Sequence, residues 1–437
     1  MAANKRIYEE VLKSVKPTKE EEKKTKKEID VFLGKLKKNI KSARVIIGGS
    51  IAKNTWLKGK NEADIFIAYN YNKFKDKSNE LSEMLEKAIK KSFKKYLRLH
   101  GSRDYFQIEE KDFVFEVVPI LDIKKPEQAK NITDVSPMHV RFVAKHKKLC
   151  DDVRILKQFC KANNVYGAES YISGFSGYVC ELLTAYYGRF ENVVKNAAKW
   201  KSKVVINNKG ISRFPVFNNH KVIIDMMKHH KDVMMDMNKS KLDSPLILVD
   251  PIQSERNAAA ALNFEKFQMF VEACKKFSTK PSIESFIEKK LDMDQVRKKA
   301  GKNIIIILNA KTSIGKYDII GCKLLKVFEH IKQKISENDF NLLDSGWEYD
   351  KREDSVFWFI VKKEKMSDFI ERQGPPLAQK SNVSAFRKKH KNTFEKSTRI
   401  FAKIKRKYMN AQELVKDVIN DDYVNERVKS ISIVHKV

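Results

Sequence analysis

No apolar run in the chain approaches the roughly 18 residues that a membrane-spanning helix needs, so no membrane partner is expected. No secretory leader is read at the N-terminus either. Cysteine is sparse: Cys150, Cys160, Cys180, Cys274 and Cys322 are odd in number, scattered and without CxxC spacing. That argues against structural zinc and for reduced thiols in a cytoplasmic protein. The nine histidines are as dispersed, and His229-His230 has no partner at metal-ligand spacing. Repeats and low-complexity tracts are absent. Negative charge is also in deficit, with 56 Asp+Glu against 88 Lys+Arg and a formal net charge of +32. Such a surplus marks a polyanion-binding surface whose affinity falls steeply as salt rises. At 437 residues there is room for about two to four domains, each with its own core.

What is present is concentrated in Ile46 to Phe66, IIGGSIAKNTWLKGKNEADIF. A short apolar strand (Arg44 to Ile47) runs into Gly48-Gly49-Ser50, and Glu62 and Asp64 open a second apolar strand that ends near Ala68. Side chains two apart on a strand share a face, which sets the Cα atoms of Glu62 and Asp64 roughly 6–7 Å apart. Two carboxylates that close repel unless a cation lies between them. Paired Mg²⁺ ions serve this purpose where phosphoryl groups are transferred. The glycines let backbone N–H groups approach a phosphate, and the start of the next helix adds a favourable dipole.

The string GGSIAKNTWLKGKNEADIF resembles the signature of the polymerase-β-like nucleotidyltransferases, in which Gly-Ser and a spacer precede acid-x-Asp. It looks most like that of the archaeal CCA-adding enzymes, the class I tRNA nucleotidyltransferases. The resemblance implies Mg²⁺ held by Glu62, Asp64 and a third carboxylate on a neighbouring strand, all three catalytic. In DFVFEVVP (Asp112 to Pro119) the family shows Asp-Val-Val-Pro, so Glu116 stands where Asp is expected; Asp112 is the fallback. Gly49, Ser50 and Lys53 match the nucleotide-contacting turn. His139 in SPMHV, Lys157 and Tyr166 in RILKQFCKANNVYGAE, and Arg256 in DPIQSERNAAAALN match further nucleotide-binding positions. Asp250 reads as a positioning residue. Ser102-Arg103-Asp104-Tyr105 departs from the family's string before the third-acid strand, which leaves open how the turn meets the primer.

Helix and strand patterns divide the chain into an α/β head, a helical neck and a body. Thr18 and Glu21 form a capping box ahead of a helix with an Ile29, Phe32, Leu33, Leu36, Ile40 stripe. Lys75 to Leu97 reads as a basic amphipathic helix, followed by strands at Tyr105 to Ile108 and Asp112 to Pro119. Cys150 to Tyr187 reads as purely helical: Val153, Leu156 and Cys160 are buried, and Arg154, Lys157 and Lys161 lie on another face. Val179, Leu182, Leu183 and Tyr186 form a second stripe that ends at Gly188. A helix at Leu262 to Phe277 precedes a β-α-β-β order (Ile304 to Leu308, Lys323 to Ser336, Trp347 to Tyr349, Val356 to Val361), which suggests a ferredoxin-like layout. After Gly374-Pro375-Pro376 a basic segment interleaves Arg387, Lys388, Lys391 and Arg399 with Phe386, Phe394 and Phe401, which suits the outside of an RNA duplex.

The fold expected is therefore α+β and multidomain. Residues 1–141 form a polymerase-β-like nucleotidyltransferase head with a mixed sheet, 142–258 a helical neck, and 259–437 a ferredoxin-like RNA-binding body with a basic helical tail. The function the resemblance implies is template-independent addition of C, C and A to the 3′ end of tRNA from CTP and ATP, with release of pyrophosphate. A poly(A) or partial-end nucleotidyltransferase and a non-catalytic RNA-binding relative remain as alternatives, and a homodimer is left open.

Overall fold

The computed structural model describes residues 2–200, 221–289, 291–312, 315–350 and 354–434. The chain divides into two compact units, Met1–Lys289 and Lys290–Val437.

In the first unit, Ala2–Val15 (α1) precedes Lys19–Lys37 (α2). The expected capping box starts α2: Glu21 N donates to Thr18 Oγ1 at 3.2 Å and Thr18 N donates to Glu21 Oε2 at 2.8 Å. There follow Ala43–Ile47 (β1), the single turn Gly49–Ala52 (α3), Glu62–Asn70 (β2), the short Tyr71–Phe74 (α4) and Leu81–Ser92 (α5). Leu97–Leu99 (β3), Tyr105–Glu110 (β4) and Phe113–Asp122 (β5) complete a five-stranded sheet ordered β1-β2-β5-β4-β3. Only β2 and β5 run parallel. Residues alternate across this sheet. The odd-numbered Ile65, Ile67, Phe115 and Val117 join Ile29, Phe32 and Leu36 of α2 and Leu85 and Ile89 of α5 in one core. Phe32 stacks on Phe115 with ring centroids 3.8 Å apart; truncating it to Ala would cost about 3–5 kcal/mol. Even-numbered Phe66, Ala68 and Ile120 line the other face.

One expectation for the head needs correction. The helix read from Lys75 to Leu97 is shorter: Lys75–Glu80 is a tighter 3₁₀ turn, α5 ends at Ser92, and Leu97 opens strand β3. The mixed basic and apolar residues of Phe93 to Leu99 span too few positions to separate a helical from a strand period. Arg103, in the string that departs from the family, is a buried brace. Its guanidinium donates to Asp134 Oδ1 at 2.5 Å and to Pro119 O at 3.1 Å.

The helical part contains Ser136–Ala144 (α6), Cys150–Ala162 (α7), Gly177–Tyr187 (α8) and Phe190–Ala197 (α9). Val222–Ile224 (β6), Val233–Asp236 (α10), Leu246–Leu248 (β7) and Phe264–Thr279 (α11) follow. The stretch read as purely helical is broken between α7 and α8, where residues 163–176 fold back through a Tyr166–Phe175 bridge. Tyr186 is 47% exposed and lies outside the expected stripe, while Gly188 caps α8 at φ +85°, a left-handed conformation that costs glycine little. Phe159, Phe190, Phe270 and Phe277 share one core. The helix α11, expected in the third segment, thus packs with α7 and α9.

In the second unit, Met293–Ala300 (α12) leads to Ile304–Lys311 (β8), Tyr317–Glu337 (α13), Leu342–Tyr349 (β9) and Asp354–Val361 (β10). Phe369–Pro376 (β11), Lys380–Lys389 (α14), Thr393–Lys396 (β12) and Arg399–Lys405 (β13) form a separate three-stranded sheet with one helix. The expected basic helical tail is therefore only partly helical: Phe394 and Lys396 lie on β12 and Phe401 and Lys403 on β13, where residues two apart share a face. Ala411–Val418 (α15), Asp422–Asn425 (α16) and Ser430–Ile433 (β14) return the chain to the first sheet, ordered β14-β8-β10-β9 with every pair antiparallel.

Candidate active site

The acids sit on the face of the head sheet opposite its main core. Parallel pairing sets Asp64 directly beside Glu116, with Glu62 beside Val114. Residues in register point to the same side of a sheet, so Glu62, Asp64 and Glu116 share one face. Asp112, the fallback, instead lies in the turn before β5 and lines a small cavity with Lys24, Thr25 and Glu28 of α2.

Both glycines of the turn are forced by their surroundings. Gly49 has φ +59°, and a Cβ there would fall 1.6 Å from Asp64 Oδ2; a Cβ on Gly48 would fall 2.1 Å from the Phe66 ring. The Asp64 carboxylate thus lies against the bare backbone of Gly49. Burial raises its pKa, Lys53 opposes that rise, and Glu62 adds to it. Among the described residues no three His, Cys, Asp or Glu side chains converge into a group that would hold a metal ion. The backbone brings the three acids to one face, and their side chains do not form a closed cage. The donor set still fits a hard divalent cation: it offers carboxylate oxygens alone, and Asp64 carries like-charge stress that a cation relieves.

Beside the acids lies a cation cluster whose centre the sequence reading missed. Lys53 Nζ donates to Glu181 Oε2 at 2.8 Å, and Lys157 Nζ to Glu181 Oε1 at 3.1 Å. Thr55 Oγ1 donates to Glu181 Oε1 at 2.6 Å, and Lys157 Nζ also reaches Thr55 O at 3.1 Å and Thr55 Oγ1 at 3.0 Å. The Lys157 and Glu181 side chains are 3% and 1% exposed. Burial alone would raise the Glu181 carboxyl, but Lys157, Lys53 and the Thr55 hydroxyl override it and hold its pKa at about 2. Lys157 therefore does not lie on a solvated face, and neither does Arg154, which donates to Trp56 O at 3.0 Å and Asn54 Oδ1 at 2.7 Å. The available signal was Glu181 itself, a lone acid inside the apolar run of α8.

A second hub orients the remaining predicted residues. Asp250 accepts from Arg256 Nη1 at 2.7 Å, from the backbone N of Ile252 at 2.9 Å and from the Tyr178 hydroxyl at 3.4 Å, and it pairs with His139 Nε2 at 3.1 Å. Burial would raise the Asp250 pKa, but His139 and Arg256 lower it. The Tyr178 ring joins the hub to the lysines: His139 lies 4.6 Å from it between centroids, Lys53 Nζ 5.1 Å and Arg256 Cζ 5.7 Å. At the start of α8, a Cβ on Gly177 would lie 3.0 Å from the Tyr166 hydroxyl and 3.4 Å from Lys157 Nζ. Lys53, His139, Lys157, Tyr166 and Arg256 therefore gather round the first turns of α8, although they are far apart in sequence. Asp250, read as a positioning residue, holds Arg256 in place, while Tyr178 carried no separate sequence signal for its linking role.

In the second unit, Arg387 and Lys388 of α14 line an open groove with Lys380, Ser384 and Glu395. Arg387 pairs with Glu395 at 2.6 Å, and Arg399 donates to Gly374 O at 3.2 Å. Lys391 is exposed in the turn before β12. Phe394 and Phe401 stack on each other at 5.8 Å, with Lys396 and Lys403 over their rings.

Three family models match the chain consecutively: a nucleotidyltransferase domain over residues 29–150, the second domain of tRNA nucleotidyltransferase over 151–287, and the C-terminal domain of CCA-adding enzyme over 300–430. Among curated proteins, the CCA-adding enzyme of Methanocaldococcus jannaschii is 30% identical over 96% of this chain and 91% of its own. That of Nanoarchaeum equitans is 32% identical over 86% and 88%, and that of Sulfurisphaera tokodaii 30% identical over 94% and 91%. Among solved structures, the RNA terminal uridylyl transferase Cid1 superposes with a TM-score of 0.50 and 11% identity, covering 67% of this chain and 99% of its own. That likeness concerns the fold alone.

Proposed function

Since this chain belongs to the family of CCA-adding enzymes, we propose that Glu62, Asp64 and Glu116 are its catalytic carboxylates and that Lys53, Lys157, Tyr166, His139 and Arg256 receive the incoming nucleotide. The protein is a tRNA nucleotidyltransferase that adds C, C and A to the 3′ end of tRNA from CTP and ATP and releases pyrophosphate. Its head is a polymerase-β-like nucleotidyltransferase domain. The observation that carries the site assignment is the parallel register setting Asp64 beside Glu116, with Asp64 packed against Gly49.

Glu62, Asp64 and Glu116 would hold divalent ions, of which Mg²⁺ suits an all-oxygen donor set. When bound, such ions stabilise the charge that develops on the attacking and leaving oxygens. A Glu116 carboxylate oxygen accepts the proton of the terminal tRNA 3′-hydroxyl as the 3′ oxygen attacks the α-phosphate. The bond to pyrophosphate breaks, with Lys53 and Lys157 neutralising the departing charge and Gly49 and Ser50 offering close approach to the backbone. Arg256, fixed by Asp250, presents its donors to the base. Without a nucleic-acid template, base choice falls to such protein groups together with the tRNA end. One nucleotide site serves both C and A.

In this reading residues 1–141 carry the catalytic carboxylates together with Gly49, Ser50, Lys53 and His139, and 142–258 add Lys157, Tyr166 and Arg256, with α11 packed into the helical core. Within 259–437, the strand order β14-β8-β10-β9 supports a ferredoxin-like body, while Arg387, Lys388, Lys391 and Arg399 contact tRNA phosphates. The free thiols and the lack, among the described residues, of a helix long and apolar enough to cross a membrane accord with work in the cytoplasm. The deciding experiment supplies tRNA lacking its last three nucleotides with labelled CTP and ATP and reads the added sequence. C-C-A is expected; a ladder stopping at C-C, a lone A or a poly(A) tail would replace this reading with a partial-end or poly(A) activity.

A further inference from the structure

The nucleotide-binding groups assigned above are neutral or cationic, yet a buried carboxylate lies at their centre. Glu181, on α8, joins two other pieces of chain: Lys53 and Thr55 just after α3, and Lys157 on α7. Lys157 directs its ammonium at three acceptors, Glu181 Oε1, Thr55 O and Thr55 Oγ1, as many as it has donors. Lys53 uses one donor on Glu181 and lies over the Tyr178 ring. Two long, rotamer-rich side chains are thereby held side by side before any ligand arrives. Ordering them at the moment of binding would weaken affinity, and a preformed arrangement removes that cost.

We propose that Glu181 is a positioning residue for nucleotide binding: it tethers Lys53, whose remaining donors serve the triphosphate of CTP and ATP alike, and holds Lys157 beside it as a buried countercharge. This rests on the reading of the site given above. Its carboxylate does not meet the nucleotide; it acts through Lys53. Because Glu181 contacts the phosphate-facing cations and not the base hub of Asp250 and Arg256, its removal should affect the two nucleotides equally.

The test is a mutant cycle on the full chain, with CTP and ATP titrated calorimetrically in the presence of Mg²⁺ and without tRNA. Glu181→Gln is expected to weaken both nucleotides by about tenfold, with tRNA affinity within about twofold of wild type. Lys53→Met alone should also weaken them, and the double variant should bind no worse than Lys53→Met, because the tether acts through the lysine it holds. A merely structural carboxylate would give additive losses or none. Additive losses, or nucleotide affinities of folded Glu181→Gln equal to wild type, overturn the inference. If Glu181→Gln does not fold, Thr55→Val leaves every charge in place and removes only the hydroxyl link. About threefold weaker binding that vanishes in the Lys53→Met background supports the tether, and unchanged binding overturns it. Failure of the wild-type protein to bind CTP and ATP would instead count against the site reading itself.

Discussion

Two carboxylates in the first unit, Asp64 and Glu181, have opposite electrostatics although both are taken from water. Asp64 lies against Gly49 with Glu62 two residues away, and its pKa is raised by burial and by that like charge, only partly offset by Lys53. Glu181 is buried still more completely, yet two ammoniums and a hydroxyl hold its pKa at about 2. Burial alone therefore does not decide the direction; the neighbours do. The lysine cluster is ordered by its own protein groups, with two ammoniums on one carboxylate, and keeps a surplus of positive charge. The acid face is short of positive charge, which is the state expected of a site that ions complete. Lys53 couples the two, since it both pairs with Glu181 and lowers Asp64.

The comparison breaks most visibly at the acid face. Asp64→Ala is expected to reduce incorporation of CTP and ATP together by about a thousandfold or more, because it removes a group needed in the transition state. tRNA affinity should stay within about twofold, since the phosphate-binding cations are untouched. Single-turnover incorporation alongside filter binding checks this; normal addition of either nucleotide would end the idea of one shared site. Gly49→Ala comes next. Its new Cβ must displace the Asp64 carboxylate, and φ +59° adds strain of about 1–3 kcal/mol. A loss of about a hundredfold in kcat is expected, with a lowered Tm. Wild-type activity in a folded Gly49→Ala protein would show that the position of Asp64 is not critical.

The lysine cluster is probed by acid. The Glu181 pKa is depressed from 4.5 to about 2, so its contribution is present above about pH 4.5 and is lost as pH falls toward 2. That difference amounts to about 3 kcal/mol of folding stability at neutral pH. Denaturant unfolding across this range should show the slope in wild type and a flatter one in Glu181→Gln. An unchanged slope would mean that the lysines are held by something other than the carboxylate.

The contrast also explains what the sequence made legible. The acid face is local: Gly48-Gly49-Ser50 and Glu62-x-Asp64 lie on consecutive strands, and a period of two places the two acids together without any long-range information. The partner strand could be named from Glu116-Val-Val-Pro, although only the folded register sets it opposite Asp64. The lysine cluster is non-local. Helical spacing correctly separated Lys157 from the Val153, Leu156, Cys160 stripe, but spacing cannot say whether the second face meets water or a carboxylate on another helix. The same limit hid Arg103 and Arg154, whose burial depends on carbonyls far along the chain. In the second unit β14 joins β8 after more than a hundred residues, a pairing with no local signature.

The smallest expected effect tests Glu116, which stands where the resemblance leads one to expect Asp. Glu116 pairs in register with Asp64 across parallel strands, so the backbone geometry is set by β2 and β5 and not by the side chain. Glu116→Asp shortens the side chain by one methylene and keeps its charge, so kcat should change by less than about tenfold with KM for CTP and ATP unmoved. Glu116→Gln keeps the length and removes the charge and proton-accepting capacity, and should lose about a hundredfold or more. If instead Asp is inactive and Gln is active, the length of the side chain matters more than its charge. Glu116 would then be a packing group beside Asp64, and the third carboxylate of the reaction would have to be sought elsewhere on the same face.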